Sequence, residues 1–335
     1  MRMRTRPLGR TPIRVSEIGF GVWTLSTGWW GNYTDEQACA LLRKAFKAGI
    51  NFFDAADTYG NGRAEMLLAK ALGDVRDEIV IATKFGYDFY SHPGRDGQRE
   101  LPQNWSPQYA EEALRKSLER LHTDRVDFYQ LHNPRLDALQ DPALFETMDR
   151  LKEQGMVRSV GAALGPALQE RQIAEGRFAL RTRRMAGVQI IYNMLEQTLG
   201  RALFPLAREH GGALLVRVPH ASGMLEGSMS GEEKFGPGDH RSHRVNDPQK
   251  QQRWAEMKKK ADALAEFLTR DMTLGQAALK FILMQDPVAT VLPNIYTEAQ
   301  LEEFVRASGV RDLTRSEMAR IEQICAPPVA VVRNP

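Results

Sequence analysis

Cysteine is nearly absent from this chain of 335 residues: Cys39 and Cys325 are the only two, far apart and outside any Cys-x-x-Cys spacing. They cannot form a disulfide framework or a zinc module, and such sparing use fits a reducing compartment. Long apolar runs are missing too. The basic start Met1-Arg2-Met3-Arg4-Thr5-Arg6 runs into Pro7-Leu8-Gly9-Arg10 where an export signal needs its apolar core, and no apolar stretch approaches membrane-spanning length. A cytoplasmic protein without a membrane span is expected. Excess charge of one sign is also lacking, since 45 Lys+Arg against 42 Asp+Glu leave +3. The basic clusters Arg181–Arg184 and Lys258–Lys260 are short, so no nucleic-acid partner is expected. No Gly-x-Gly-x-x-Gly phosphate loop and no Pro/Ser-rich linker occurs. Residues 1–335 therefore read as a single domain.

What is present is an alternation. Eight short apolar runs, at 18–21, 51–54, 79–84, 127–132, 157–162, 187–192, 213–218 and 289–293, are separated by segments with helical spacing. Several helix starts are marked: Thr34 with Gln37 makes a capping box, while Ser106-Pro107 and Asp141-Pro142 pair an N-cap with a proline. Strand and helix repeated eight times predict parallel strands closing into a (β/α)8 barrel, with an open doubly wound sheet as the alternative. Residues 1–17 read as an N-terminal β-hairpin plugging the barrel. Residues 223–247, including Gly236-Pro237-Gly238, read as one long loop, and Trp254, Met257, Ala261, Leu264 and Leu268 beyond it as an extra helix.

In such a barrel, chemistry gathers at the C-terminal strand ends, where polar residues closing apolar strands are informative. Asp54 closes the second run, Lys84 the third and His132 the fourth, while Gln189 and Arg217 lie on the sixth and seventh. The loop Asp54-Ala55-Ala56-Asp57-Thr58-Tyr59-Gly60 delivers a tyrosine beside a glycine. Tyrosine is a poor acid at neutral pH, but a nearby ammonium favours tyrosinate, so Lys84 held by Asp54 would activate Tyr59 and a neutral His132 could orient a carbonyl oxygen. The alternative is that Tyr59 packs its ring under the loop and bonds a backbone carbonyl.

With these residues in this order, the chain resembles the aldo-keto reductase family over nearly its whole length. The strings are Gly19-Phe20-Gly21-Val22-Trp23, Phe53-Asp54-Ala55-Ala56-Asp57-Thr58-Tyr59-Gly60, Thr83-Lys84, Asp127-Phe128-Tyr129-Gln130-Leu131-His132-Asn133-Pro134, Val188-Gln189-Ile190-Ile191-Tyr192-Asn193 and Val291-Leu292-Pro293. The resemblance implies a catalytic tetrad of Asp54, Tyr59, Lys84 and His132, with Tyr59 the general acid. It also implies NADPH, or NADH, lying extended across the barrel mouth. On the nicotinamide side it points to Gly21, Val22, Trp23, Asp54, Gln189, Arg217 and Pro219. Gly223, Leu225 and Arg241 would follow in the long loop as a clamp, and Pro293, Asn294, Ile295, Thr297, Gln300 and Glu303 at the adenosine end. Trp23, Trp30, Tyr87 and His132 would line a pocket for a small carbonyl or alcohol substrate, with Trp29, Phe89 and Tyr90 adding aromatic surface.

Five positions depart from the family pattern. Ala163-Leu164 stands where many relatives have a Ser-Asn pair for the carboxamide, and Arg217 where an aromatic often stacks on the nicotinamide. A guanidinium can stack as well. Asn294 and Gln300 stand where NADPH-preferring relatives often carry bases, although Thr297 and Gln300 also read as a capping box needing no ligand. Asp239, His240 and His243 have no fixed ligand spacing, so no metal is expected. The altered carboxamide contact leaves one alternative, a nucleotide-binding regulatory subunit with slow turnover.

Overall fold

The computed structural model describes residues 3–92, 100–166, 169–236 and 238–326. Among these residues ten strands are present. β1 (Thr5–Pro7) and β2 (Arg14–Ser16) pair antiparallel as the expected hairpin. Eight parallel strands follow in sequence order around one sheet: β3 (Phe20–Gly21), β4 (Phe52–Asp54), β5 (Val80–Phe85), β6 (Phe128–His132), β7 (Val160–Ala163), β8 (Gly187–Ile191), β9 (Ala213–Arg217) and β10 (Val288–Leu292). The barrel closes where Ile18 bridges Val291, with Gly19 N donating to Val291 O and Val291 N to Glu17 O, both at 2.8 Å. The fifth strand begins later than its apolar run suggests, because Val157 forms only an isolated bridge with Val126.

The hairpin covers the N-terminal end. Leu8, Ile13 and Val15 are buried against Phe52, Val80, Phe128, Ala213 and Leu215 inside the barrel. Thr34 and Gln37 form a capping box on the helix Asp35–Lys47, and Ser106 and Asp141 cap Pro107–Leu121 and Pro142–Glu153. The extra helix, Pro248–Leu268, buries Trp254, Met257, Ala261, Leu264 and Leu268, while Leu274–Leu283 is buried along all of its residues. That complete burial follows from its position between the extra helix, β10 and the turn after β9. Among the described residues no helix is long and apolar enough to cross a membrane. Pro237 of the 223–247 loop lies outside the described residues.

Candidate active site

β4 ends on Asp54, whose carboxylate ties three other strands together. Oδ2 lies 2.6 Å from Nζ of Lys84 on β5, and Oδ1 accepts from Nε2 of Gln130 on β6 and of Gln189 on β8, each at 3.0 Å. The Lys84 side chain is 0% exposed and also donates to Ala55 O at 2.7 Å. Burying an ammonium is costly unless it is paired. Burial alone would lower the Lys84 pKa, but the charges of Asp54 and Tyr59 and its hydrogen bonds to both outweigh it and hold it above its ordinary value. Lys84 is therefore a cation at neutral pH.

Gly60 sets the path of the tyrosine loop. It adopts φ +59°, and a Cβ there would stand 2.3 Å from Ser26 O, so only glycine fits. The turn holds the half-buried Tyr59 with its ring 4.7 Å from Lys84 Nζ and edge-on to His132, centroids 5.6 Å apart. His132 ends β6, and the Tyr87 ring stands 4.9 Å away on its other side. Tyr87 Oη accepts from Asn133 Nδ2 at 2.6 Å and donates to Glu100 Oε1 at 3.0 Å. Trp23 packs against Trp29, Trp30 and His240 at 5.6, 6.1 and 4.8 Å. Asp54, Tyr59, Lys84 and His132 are thus gathered at one end of the barrel with aromatic walls beside them. Tyr90 differs from expectation: it lies away from the mouth, its ring 4.1 Å from Lys116 Nζ and its hydroxyl 2.9 Å from Arg120.

The remaining sequence candidates surround this centre unevenly. Gly21 ends β3, and Val22 N donates to Asp54 O at 2.9 Å, placing Trp23 over the carboxylate's strand. The Gln189 amide is spent inside the barrel on Asp54. Arg217 ends β9 and donates to Leu164 O at 2.9 Å. Beyond it Val218, Ala221, Ser222 and Gly223 all have positive φ, +57°, +50°, +61° and +98°. A β-branched residue in that region is strained, and Asn193 Nδ2 holds the Val218 carbonyl at 3.0 Å. Pro219 lies inside this turn, and Leu225 is fully buried under it.

A cavity of about 340 Å³ opens beside the turn, lined by Gly223, Glu226, Met229, Phe235, Asp239, Arg241 and Tyr296. Asp239 binds the Arg241 guanidinium at 2.6 and 2.9 Å, and the cation lies over Phe235 and Trp30. After β10, Pro293 and Asn294 lead to the buried Ile295, whose carbonyl accepts from Thr24 Oγ1 at 2.9 Å. Thr297 caps the helix Glu298–Arg306 by accepting from Gln300 N at 3.2 Å. Gln300 Nε2 donates to Glu226 Oε2 at 3.1 Å, and Glu303 bonds the Thr273 hydroxyl. Among the described residues no group of three or more His, Cys, Asp or Glu is arranged to hold a metal; His240 instead stacks on Trp29 at 5.7 Å.

Two buried clusters carry no mark in the linear sequence. Asp57 is fully buried with both carboxylate oxygens unpartnered among the described residues, and burial, then the charge of Glu65, pushes its pKa well up. Glu65 in turn accepts from Thr83 at 2.5 Å and from Arg120 at 2.7 Å. The second cluster is Glu226 with His220. His220 Nε2 lies 3.1 Å from Gly275 O, and a carbonyl can only accept, so Nε2 carries the proton. Nδ1 then presents a lone pair to Glu226 Oε1, 3.7 Å away. Burial raises Glu226 to about 7 and lowers His220 to about 4.

A buried ammonium beside a tyrosine and a histidine, at the strand ends of an eight-fold barrel, agrees with the family comparison. Residues 17–326 match the model of the Aldo/keto reductase family. The chain belongs to that family. As an aldo-keto reductase it is an oxidoreductase. It is 29% identical over 325 residues to the NADH-specific methylglyoxal reductase of Escherichia coli, covering 92% of this chain and 94% of that protein. An uncharacterised oxidoreductase of Bacillus subtilis is 28% identical over 321 residues, 96% of each chain. Among solved structures, the holo form of aldo-keto reductase AKR11C1 from Bacillus halodurans superposes with a TM-score of 0.76 at 29% identity, covering 96% of both chains. A glycerol dehydrogenase from Gluconobacter oxydans, at 23% identity and a TM-score of 0.78, covering 99% of this chain and 96% of its own, shares the fold.

Proposed function

We propose that this aldo-keto reductase reduces a small aldehyde or ketone with a nicotinamide dinucleotide, and can run the reverse oxidation, with Tyr59 as general acid or base. The observation that carries this reading is the fully buried Lys84, paired to Asp54 at 2.6 Å and set 4.7 Å from the Tyr59 ring. A cation there places positive charge beside the hydroxyl that would give its proton to an oxygen gaining charge. His132 orients that oxygen, and Trp23, Trp30 and Tyr87 exclude water around an apolar substrate. A bound nicotinamide supplies the hydride.

The donors and acceptors present suit such a cofactor. Gly21 to Trp23, Arg217 and Pro219 would flank the nicotinamide. Gly223 and Arg241, within the 223–247 segment, would clamp the pyrophosphate, whereas Leu225, fully buried, supports the turn from below instead of touching the ligand as expected. At the adenosine end the buried Glu226 carboxyl, which accepts from Gln300 Nε2 at 3.1 Å, is a polar group a ribose hydroxyl could meet. Pro293 to Ile295, Thr297, Gln300 and Glu303 complete that end. Of the two bases lining the cavity, Arg241 is already held by Asp239, while Lys234 stands beside Glu233 in the lining. Asn294 and Gln300, which bring no positive charge, favour the ribose hydroxyls of NADH over the 2′-phosphate of NADPH. The similarity to a relative named NADH-specific supports the same choice, against the family-wide expectation of NADPH. All of this would reside on one domain spanning 1–335.

The test is the oxidation of NADH and NADPH by purified protein with a panel of small aldehydes, methylglyoxal included, beside Tyr59→Phe. Tyr59→Phe is expected to lose about 10²–10⁴-fold in turnover while still binding cofactor, the range spanned by a single general acid. Full turnover in the variant would remove Tyr59 from the mechanism.

A further inference from the structure

We infer that Arg217 lets the site tell the two redox forms of its dinucleotide apart, holding the reduced form more tightly than the oxidised one. This rests on the nicotinamide reading above and goes beyond it.

Arg217 is the last residue of β9, in register with Ile191 on β8 and Leu292 on β10, at the end of the barrel where Asp54 and His132 also close their strands. Its side chain is half buried, and its one hydrogen bond, to Leu164 O, leaves most of the guanidinium's donors unused. Among the described residues it forms no ion pair. The neighbouring acids are engaged elsewhere: Asp54 with Lys84 at 2.6 Å, Glu196 with Arg253 at 3.3 Å and Asp239 with Arg241 at 2.6 Å. Burial works against the Arg217 charge, and the attractions it does feel come first from Tyr59, then from Asp54 and Tyr87. Arg217 is therefore a cation without an ion pair among the described residues, at the strand ends that also carry Asp54 and His132.

The reacting ring must share that space, because a carbonyl whose oxygen meets Tyr59 has its carbon against the hydride donor. The oxidised nicotinamide ring bears a positive charge and the reduced ring none, while the rest of the dinucleotide is the same in both forms. Like charges a few ångströms apart in a water-poor site repel by enough to shift a binding ratio at least about tenfold. A neutral aromatic at this position would stack on the ring without that bias, which gives the replacement of an aromatic by Arg217 a physical effect.

Equilibrium fluorescence titration of NADH and NAD⁺, and of NADPH and NADP⁺, against wild type, Arg217→Gln and Arg217→Lys tests this. In the wild type the reduced form binds tighter. In Arg217→Gln the ratio of the oxidised to the reduced Kd falls at least about tenfold, which for a two-electron couple is about 30 mV in the bound potential. Arg217→Lys keeps most of the ratio, since the charge remains. Equal weakening of both forms by Arg217→Gln would mean that Arg217 holds a part common to both, such as a phosphate, and would overturn the inference. An unchanged ratio would overturn it too. Binding of neither form by the wild type would instead refute the nicotinamide reading, and this inference with it.

Discussion

Glu226 and His220 should hide each other's titration, and one substitution should expose it. Both side chains are buried, 12% and 2% exposed, with an acceptor nitrogen facing a carboxylate oxygen at 3.7 Å. Glu226 rises from its ordinary 4.5 to about 7, burial being the main cause, so between those pH values the folded state keeps a proton that the unfolded chain has lost. Its contribution is full below pH 4.5 and is lost as pH climbs toward 7. His220 falls from 6.5 to about 4, again through burial, so over that interval the unfolded chain holds the extra proton and stability is gained as pH rises. Each step, at about 1.4 kcal/mol per pH unit, amounts to about 3 kcal/mol. The two run in opposite directions over nearly the same window and largely cancel in the wild type. Glu226→Gln removes one. Urea unfolding at half-unit steps from pH 4 to pH 8 should show the variant gaining on the wild type by about 2–3 kcal/mol, nearly all of it between pH 4.5 and 7. A wild-type-minus-variant difference that stays constant across that range would refute the protonated Glu226 and the lone-pair argument behind it.

Two further outcomes are expected. Leu8→Ala, which truncates a fully buried side chain of the hairpin, should cost about 2–5 kcal/mol in urea unfolding while leaving kcat near the wild-type value at low temperature, because the plug sits at the opposite end from Tyr59; a kcat lost in step with stability would contradict that separation. Asp57 is held well above its ordinary carboxylate value, so its ionisation in the fold is a cost that grows as pH rises past the unfolded value of about 4. Asp57→Asn should therefore melt near the wild type at pH 4 and progressively higher than it toward pH 8; a variant whose deficit widens with pH would reverse the assignment.

The barrel and its four central residues were readable because each rests on a local pattern. An apolar run closed by Asp54, Lys84 or His132 announces both a strand and the end of the strand that bears chemistry, and Gly60 after Tyr59 announces the turn. The capping residues Thr34, Ser106 and Asp141 were legible for the same reason, since their partners lie within three positions. What escaped depends on distant packing. Nothing near Glu226 foretells burial, which comes from Leu274–Leu283 closing over the turn and offering Gly275 O to His220. Tyr90 reads as one of the mouth aromatics, yet its hydroxyl is held by Arg120 on the helix Pro107–Leu121, a contact thirty positions away in sequence. Gln189 was expected to face a ligand, and its amide points to Asp54 because both side chains project into the barrel interior.

The carboxylate of Asp54 is held from three strands at once, by Lys84, Gln130 and Gln189. The ammonium beside the Tyr59 ring is thereby surveyed against the cross-section of the framework, as a mason's line is fixed to the wall instead of to the scaffolding. Loops around the rim can lengthen, shorten or exchange aromatic for aliphatic residues without moving that benchmark. A lineage could therefore edit the rim alone, each trial starting with the Asp54–Lys84 pair already in place.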